Sequence, residues 1–192
     1  AAALGVAQHD HVIDLEDAVA PVDKERAREM VDAWLTQAHT VILRINGADK
    51  PWFAKDLALC NRPGIAGVMV PKAECPESLA AARHAGARFL LPLIESAAGF
   101  ASLGALVAVP GVLCLAFGSI DFQVDLGMRE ALDDELLPFR VQLVLASRLG
   151  GIGAPIDGVS VAIDDEARLR DDALRARRLG FGGKLCIHPR QV

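Results

Sequence analysis

The 192-residue sequence predicts an α/β protein in which a parallel sheet is covered by helices. Short apolar runs alternate with segments of helical periodicity, and most of these runs end in polar residues. The first five polar ends follow one another at roughly 24 to 29 residues, the length of a strand plus a crossover helix. We therefore expect one strand–helix unit to be repeated along a single domain that occupies residues 1–192.

Seven segments have the character of strands. They are residues 11–17, 40–46, 65–72, 89–96, 112–121, 156–161 and 184–188. Helices are predicted over residues 23–38, 77–85 and 165–179. No glycine-rich G-x-G-x-x-G turn follows a strand, and polar residues stand at the strands' carboxyl ends, where barrel active sites lie. These features favour a TIM (β/α)8 barrel over a doubly wound sheet. Since seven strands are one short of eight, we expect the first strand upstream of Ala1.

Composition excludes several classes of protein. Hydrophobic residues make up 52% of the chain and charged residues 23%, a balance that is typical of a folded globular domain rather than a disordered one. The formal charge of -5 opposes nucleic acid as a partner, and charges interrupt every apolar run before it could cross a membrane. The four cysteines lack C-x-x-C spacing, which predicts buried free thiols in the cytoplasm.

Glu95 and Asp121 are the sharpest candidates for chemistry. Each ends a predicted apolar strand, and the two strands are consecutive, so we expect them to be adjacent. Two carboxylates at close range need a cation between them, and oxygen ligands favour Mg²⁺. Two solvated acids or helix caps are the alternative interpretation.

Arg44 lies inside the apolar segment VILRIN, where a guanidinium needs an anionic partner. That partner is a substrate carboxylate or one of the acids in DLED, residues 14–17, and the two options are compatible. Strand alternation directs Asp14 and Glu16 to one side and Asp17 to the other.

Lys72 and His188 also follow predicted strands. Lys72 is a candidate Schiff-base lysine, but the many nearby acids favour a protonated, ion-paired side chain. His188, which precedes Pro189, is either a hydrogen-bonding group of the pocket or an ordinary loop residue.

Six motifs, in their order and spacing, resemble the citrate lyase beta subunit-like branch of the HpcH/HpaI aldolase superfamily. The motifs are DLEDAV, LRIN, VPKAE, LIES, FGSIDFQVDLG and LCIHPRQV. The resemblance covers nearly the whole chain. It implies a (β/α)8 barrel that binds Mg²⁺ and makes or breaks a carbon–carbon bond in 3-hydroxyacyl thioesters such as malyl-, citramalyl- or citryl-CoA, with a 2-oxo acid and acetyl-CoA as products.

The resemblance also implies roles for individual residues. Glu95 and Asp121 are expected to be the metal ligands, and Arg44 to hold the oxygen atoms of the substrate. Asp14 and Glu16 are expected to support Arg44 in catalysis. We assign Lys72 and His188, together with Arg44, to substrate binding.

Three departures from the family pattern keep other functions open. Nothing before Ala1 supplies the family's thioester-binding first strand, and the sequence stops at Val192, before the lid that often contributes an acid to a neighbouring subunit. Ile120 stands where many members have Glu. The alternatives are a CoA-independent aldolase for 4-hydroxy-2-oxo acids, a malyl-CoA thioesterase and a noncatalytic metabolite-binding subunit. The resemblance implies a homotrimer or larger homo-oligomer, and CoA and an acyl-carrier protein both remain possible thioester carriers.

Overall fold

The computed structural model of the protein describes residues 11–36, 40–129 and 131–192. It contains seven parallel strands in one sheet, and their spatial order is their order along the chain. The strands are β1 (His11–Asp14), β2 (Val41–Arg44), β3 (Ile65–Val70), β4 (Leu90–Ile94), β5 (Ala116–Phe117), β6 (Ile156–Asp157) and β7 (Gly183–Lys184). The prediction of seven parallel strands is confirmed. The eighth strand expected upstream of Ala1, and the extent of the domain over residues 1–192, stay predictions.

Helices and short helical turns connect the strands. The α-helices are α1 (Lys24–Trp34), α2 (Phe53–Asp56), α3 (Pro76–His84), α4 (Ala97–Ala101), α5 (Leu103–Val107), α6 (Ser119–Asp125), α7 (Leu137–Leu149) and α8 (Glu166–Leu179). Helix α3 begins at a proline, which has no N–H to leave unpaired there. Helix α8 is followed by Gly180, which caps it in the left-handed conformation with φ 99°. None of the described helices combines the length and apolar character that a membrane crossing requires.

The two faces of the sheet bury different sets of side chains. Along β4, Leu91 and Leu93 belong to a small inner cluster, whereas Leu90 and Ile94 belong to the large core beneath the helices. The inner cluster is formed by Met69, Leu91, Leu93, Cys114 and Ala116, with Ile42, Leu113, Ile156 and Leu185 packed against it. Because strands β2 to β6 and the end of β7 all contribute to this one cluster, the sheet must curl around it. Glu95, next in phase after Leu93, is therefore directed to the inner face at the carboxyl end of β4.

The segment 112–121 differs from its predicted structure. Only Ala116–Phe117 forms a strand, and the chain enters helix α6 directly after Gly118. Asp121 therefore lies in the first turn of α6 and not at the end of β5. The physical reason is that Phe122 is buried beneath the helices, as Phe117 is. A continued strand would direct these two side chains to opposite faces of the sheet, whereas a helix that begins after Gly118 allows both to be buried.

Four aromatic rings hold α6 in place. The ring of Phe122 lies 4.6 Å from the ring centroids of Phe100 and Phe139 and 5.6 Å from that of Phe117. Phe100 belongs to α4 and Phe117 to β5, so the cluster joins the two units that follow β4 and β5. Tilted and edge-to-face aromatic pairs of this kind are favourable beyond the apolar area they bury.

The cysteine prediction is half confirmed. All four thiols are free. Cys60 and Cys114 are buried, and burial raises their pKa values to about 12 and about 11. Cys75 and Cys186 are exposed, because each lies in a loop rather than in a buried strand, so for these two residues the prediction of burial is wrong.

Replacing Phe122 with alanine should lower the free energy of unfolding by about 3 to 5 kcal/mol, because the ring is 1% exposed and its loss leaves a cavity. Urea denaturation measures this change. Val124 lies on the same helix but is 74% exposed, so Val124→Ala should stay within about 0.5 kcal/mol of the wild type. Equal effects of the two variants would contradict the anchoring role of the aromatic cluster.

Candidate active site

Arg44 is held at the carboxyl end of β2 by acids from the end of β1. Its Nε donates to Asp14 Oδ1 at 2.7 Å and its Nη2 to Asp14 Oδ2 at 2.5 Å, a two-point contact between residues that are paired in the sheet register. Glu16 Oε2 lies 3.2 Å from Arg44 Nη1. The predicted ion pair between Arg44 and the DLED acids is therefore present.

The turn after β1 explains this arrangement. Asp14 accepts hydrogen bonds from the backbone N–H of Glu16 at 2.8 Å and of Ala18 at 3.0 Å, so its side chain closes the turn. Alternation therefore ends at Asp14, and the carboxylate of Asp17, expected on the opposite side, lies 3.6 Å from Arg44 Nη1. Burial raises the pKa of Asp14, but the hydrogen bonds from Arg44 and from the backbone outweigh it, and the pKa ends below its usual value.

Lys24 supports the same turn, and nothing in the sequence pattern singles it out among the many charges of α1. Its side chain is buried, with Nζ donating to the backbone oxygens of Leu15 at 2.7 Å and Glu16 at 2.6 Å. The ammonium also lies 5.2 Å from the centroid of the Trp52 ring. A buried cation thus fixes the backbone that carries the acids around Arg44.

Glu95 follows β4 directly and is only 3% exposed. Its Oε1 accepts the backbone N–H of Lys72 at 2.7 Å, and Lys72 adopts a left-handed conformation with φ 44°. Burial raises the pKa of Glu95 to about 8 against the effect of this hydrogen bond, and repulsion from Glu16 and Asp121 adds to the increase. The charges of Glu16 and Asp121 therefore act on the same carboxylate.

Gly118 makes room for Glu95. A Cβ at position 118 would lie 2.5 Å from the Cβ of Glu95 and 2.6 Å from its Oε2, closer than real contacts allow. The backbone of Gly118 has φ -85°, so the requirement for glycine here arises from the neighbouring carboxylate and not from backbone strain. The Gly118 N–H also donates to the backbone oxygen of Ile94 at 2.9 Å, which keeps the two segments in contact.

The other predicted site residues are placed differently. Lys72 has an exposed side chain whose positive charge opposes the raised pKa of Glu16. His188 begins the terminal helical turn, and its Nδ1 accepts the backbone N–H of Arg190 at 3.2 Å. Within the part of the chain that the structure describes, no hydrogen bond or ion pair joins His188 to Arg44 or Glu95. Its role in substrate binding stays a prediction.

Two other strand-end residues belong to buried scaffolding instead of the rim. Asn46 donates from Nδ2 to Asp56 Oδ2 at 2.6 Å, and Asp56 is also bonded to Arg28 on α1. Lys184 Nζ donates to the backbone oxygen of Gly158 and lies 3.9 Å from Asp157 Oδ2. The sequence shows that these two polar residues lie near strand ends. It does not show that their side chains are bonded between the sheet and the helices.

The carboxylates fit a hard divalent cation that keeps few protein ligands. Glu95 and Asp121 are oxygen donors from neighbouring units, and the adjacent Glu16 Oε2 is buried without a hydrogen bond. Mg²⁺ is commonly held by one or two carboxylates, with water and substrate in its other positions. Among the described residues no three His, Cys, Asp or Glu side chains are grouped so that they could hold a metal together.

A curled parallel sheet with an arginine–carboxylate group and a buried glutamate at its carboxyl ends defines an enzyme of the α/β barrel type. Residues 1–189 match the family model described as HpcH/HpaI aldolase/citrate lyase. The chain therefore belongs to the HpcH/HpaI aldolase/citrate lyase family. The prediction from the six motifs is confirmed, and membership identifies the protein as a lyase-type enzyme.

Three relatives illustrate the family. The chain is 38% identical to a citrate lyase subunit beta-like protein of Deinococcus radiodurans, 34% identical to a (3S)-malyl-CoA thioesterase of Cereibacter sphaeroides and 30% identical to an L-malyl-CoA/beta-methylmalyl-CoA lyase of Rhodobacter capsulatus. The alignments cover 94%, 99% and 94% of this chain and 68% of each relative.

Solved structures support the same fold. The citrate lyase beta subunit of M. tuberculosis, complexed with oxaloacetate and magnesium, superposes with a TM-score of 0.83 and 27% identity over 94% of this chain and 82% of that one. A structure of the protein CitE from the same organism contains magnesium, acetoacetate and coenzyme A. It superposes with a TM-score of 0.82 and 28% identity over 94% of this chain and 68% of that one. The barrel prediction is confirmed by these neighbours.

Adding a methyl group at position 118 tests how tightly Glu95 is held. Gly118→Ala should lower the free energy of unfolding by about 1 to 3 kcal/mol, because the new Cβ collides with Glu95. Gly104 provides a matched control: it lies inside α5 with nothing within 4 Å of an added Cβ, so Gly104→Ala should raise stability by about 0.5 to 1 kcal/mol. Urea denaturation of both variants checks the sign, and a stabilising Gly118→Ala would contradict this packing.

The raised pKa of Glu95 makes the stability of the metal-free protein depend on pH. Because this pKa is about 8 in the folded protein and 4.5 is its ordinary value, the folded state binds more protons between these limits. The stabilisation is complete below the lower value and is lost as pH rises through the upper one. In the wild type, the free energy of unfolding should therefore fall by on the order of 2 to 4 kcal/mol between about pH 5.5 and about pH 8.5. We expect Glu95→Gln to remove this decrease.

Denaturation with urea at the two pH values, in the presence of EDTA, measures this effect. Glu77→Gln is the control, because Glu77 is exposed on α3 and should leave the wild-type pH dependence unchanged. If Glu95→Gln retained that dependence, the buried carboxyl would not be its source.

Proposed function

We propose that the protein is a magnesium-dependent carbon–carbon lyase that cleaves, or in reverse forms, a 3-hydroxyacyl thioester. The observation that carries the proposal is the placement of Arg44 and the buried Glu95 at the same edge of a parallel sheet, with the charge of Glu16 acting on both. The relatives that bear malyl-CoA lyase and citrate lyase names support this reaction class. The substrate is a malyl, citramalyl or citryl thioester, and the products are a 2-oxo acid and acetyl-CoA.

Glu95 and Asp121 are the residues that would hold Mg²⁺. When bound, the ion supplies a Lewis acid that draws electron density from the oxygen atoms of a hydroxy acid or oxo acid. The chain's own contribution is to keep Glu95 in one orientation through the Lys72 N–H and the absence of a side chain at Gly118. The structural neighbour that contains oxaloacetate and magnesium supports a site of this type.

Arg44 supplies a fixed positive charge. Since Nε and Nη2 are bonded to Asp14, the guanidinium cannot rotate freely, and Nη1, which lies 3.2 Å from Glu16 Oε2, is the remaining nitrogen that can donate to a substrate oxygen. During cleavage the hydroxyl proton leaves, the carbon–carbon bond breaks, and its electron pair moves onto the thioester to form an enolate. Arg44 stabilises the negative oxygen that develops, and a proton that solvent supplies to the enolate carbon gives acetyl-CoA.

Glu16 is the described carboxylate best suited to accept the hydroxyl proton. Burial raises its pKa to about 7, against the attraction of Arg44, while the neighbouring acids Asp17 and Asp14 reinforce the increase. Its Oε2 is buried and makes no hydrogen bond, although it lies 3.2 Å from Arg44 Nη1 as an ion pair. A base with a pKa near the working pH combines an ionised resting form with effective proton transfer.

A thioesterase is the second candidate, because the 34%-identical relative of Cereibacter sphaeroides bears that name. Hydrolysis of malyl-CoA would yield malate and free CoA, whereas cleavage of the carbon–carbon bond yields glyoxylate and acetyl-CoA. The two activities are therefore separated by their products. The homotrimeric or larger assembly, the cytoplasmic location and the choice between CoA and an acyl-carrier protein remain predictions.

The protein should cleave a hydroxyacyl-CoA with Mg²⁺ present and lose this activity with EDTA. Glu95→Gln and Asp121→Asn should each reduce the rate by at least about 100-fold, since several kcal/mol of charge stabilisation depend on the ion. Chromatography of acyl-CoA products from malyl-, citramalyl- and citryl-CoA measures the reaction. Val124→Ala, on the exposed side of α6, should keep full activity.

Full turnover in Asp121→Asn would refute the metal assignment. Free CoA as the first product would favour the thioesterase. Cleavage of 4-hydroxy-2-oxo acids without CoA would identify the aldolase, and binding of these compounds without turnover would identify the metabolite-binding subunit.

A further inference from the structure

Residues 95–97, which follow β4, make three hydrogen bonds to two other parts of the chain. Two of these bonds come from the segment between β3 and α3. The Lys72 N–H donates to Glu95 Oε1 at 2.7 Å, and Ser96 Oγ donates to Glu74 Oε1 at the same distance. These two bonds orient Glu95, but they do not involve helix α6, which carries Asp121.

The third bond joins this segment to α6. Asp125, the last residue of α6, accepts the backbone N–H of Ala97 through Oδ2 at 2.7 Å. Ala97 is the first residue of α4 and stands two positions after Glu95. Among the described residues this is the one side-chain hydrogen bond that connects α6 to the chain after β4.

Because Asp125 and Asp121 lie on the same helix, the bond from Asp125 also affects where Asp121 is placed. The two residues are four apart on one helix, so their side chains lie on the same face. The face of α6 that reaches Ala97 is therefore the face that carries Asp121. The contact between the rings of Phe122 and Phe100 packs α6 against α4, whereas the bond from Asp125 fixes which face of α6 is turned toward Ala97.

Electrostatics makes such a restraint necessary. Glu95 and Asp121 are both acidic and repel each other when no cation lies between them. Asp121 itself has no hydrogen bond or ion pair in the described part of the chain. The aromatic cluster keeps Phe122 buried, but among the described side-chain hydrogen bonds of this seven-residue helix only that of Asp125 reaches the chain after β4.

We propose that Asp125 is a positioning residue that keeps Asp121 within reach of Glu95, and so strengthens divalent-cation binding without being a ligand. This inference rests on the proposed function, in which Glu95 and Asp121 hold the ion. The competing explanation is that Asp125 only caps the N-terminus of α4, which would affect folding stability but not the affinity for a cation.

Binding of Mn²⁺ to the substrate-free protein, followed by electron paramagnetic resonance, tests the proposal without using turnover. Asp125→Ala should raise the dissociation constant for Mn²⁺ about tenfold, as loss of residues that orient metal ligands does elsewhere. Asp125→Asn keeps an oxygen that can accept the Ala97 N–H, so it should recover most of the affinity.

Asp165→Ala is the matched control. Asp165 accepts the Arg168 N–H at 2.9 Å at the start of α8, so the variant also removes a carboxylate from a helix N-terminus. It should bind Mn²⁺ as the wild type does, although both alanine variants lose similar stability in thermal unfolding of the metal-free protein.

Wild-type affinity in Asp125→Ala would overturn the proposal, and so would an equal loss of affinity in Asp165→Ala. Equal weakness of Asp125→Asn and Asp125→Ala would assign the effect to charge and overturn the positioning role. Glu95→Gln separates the two levels of inference: if it binds Mn²⁺ as tightly as the wild type, the metal assignment itself fails. If it does not bind, a failure of Asp125→Ala to weaken binding concerns Asp125 alone.

Discussion

The burial of the Glu95 carboxylate at the end of β4 is the constraint on which the site depends. The side chain is 3% exposed and accepts one backbone hydrogen bond, from Lys72, so its ionised form is poorly compensated by the protein. Gly118 leaves room for the carboxylate because it has no side chain, and the left-handed backbone of Lys72 accompanies the N–H bond to it. A carboxylate held in this way is stabilised when a cation replaces the water it has lost, which links the fold of the β4 and β5 units to the chemistry that we propose.

Arg44 presents the opposite electrostatic situation at the ends of β1 and β2, which β3 separates from β4. Its charge is compensated at two points by Asp14, and Glu16 adds a second acid. Burial lowers the pKa of the Arg44 guanidinium, but the bonds to Asp14 outweigh this effect and keep it protonated. The buried ammonium of Lys24 fixes the turn behind these acids. The site therefore combines a rigid cation with an undercompensated anion, an arrangement suited to an oxygen-rich substrate that is bound through a metal.

Sequence periodicity is sufficient to predict the seven strands. It also predicts which residues at their ends continue the alternation of inward-facing side chains. Arg44, Asp14 and Glu95 could be located because each continues the inward alternation of its strand. Asp121 was placed on a strand because an apolar run does not reveal that Phe122 packs within a helix. The roles of Lys24 and Asp125 depend on hydrogen bonds with backbone atoms of other elements. The partners are Glu16, eight residues before Lys24, and Ala97, 28 residues before Asp125, and such contacts leave no pattern in the sequence.

The proposed function requires that Glu95 and Asp121 share one divalent ion beside Arg44. A crystal structure of the protein grown with Mg²⁺ and a 2-oxo acid would show whether they do. We expect one cation between the two carboxylates, with the oxo acid bound to it and within hydrogen-bond distance of Arg44. A cation bound elsewhere, or an oxo acid held with Glu95 and Asp121 turned away from each other, would contradict it.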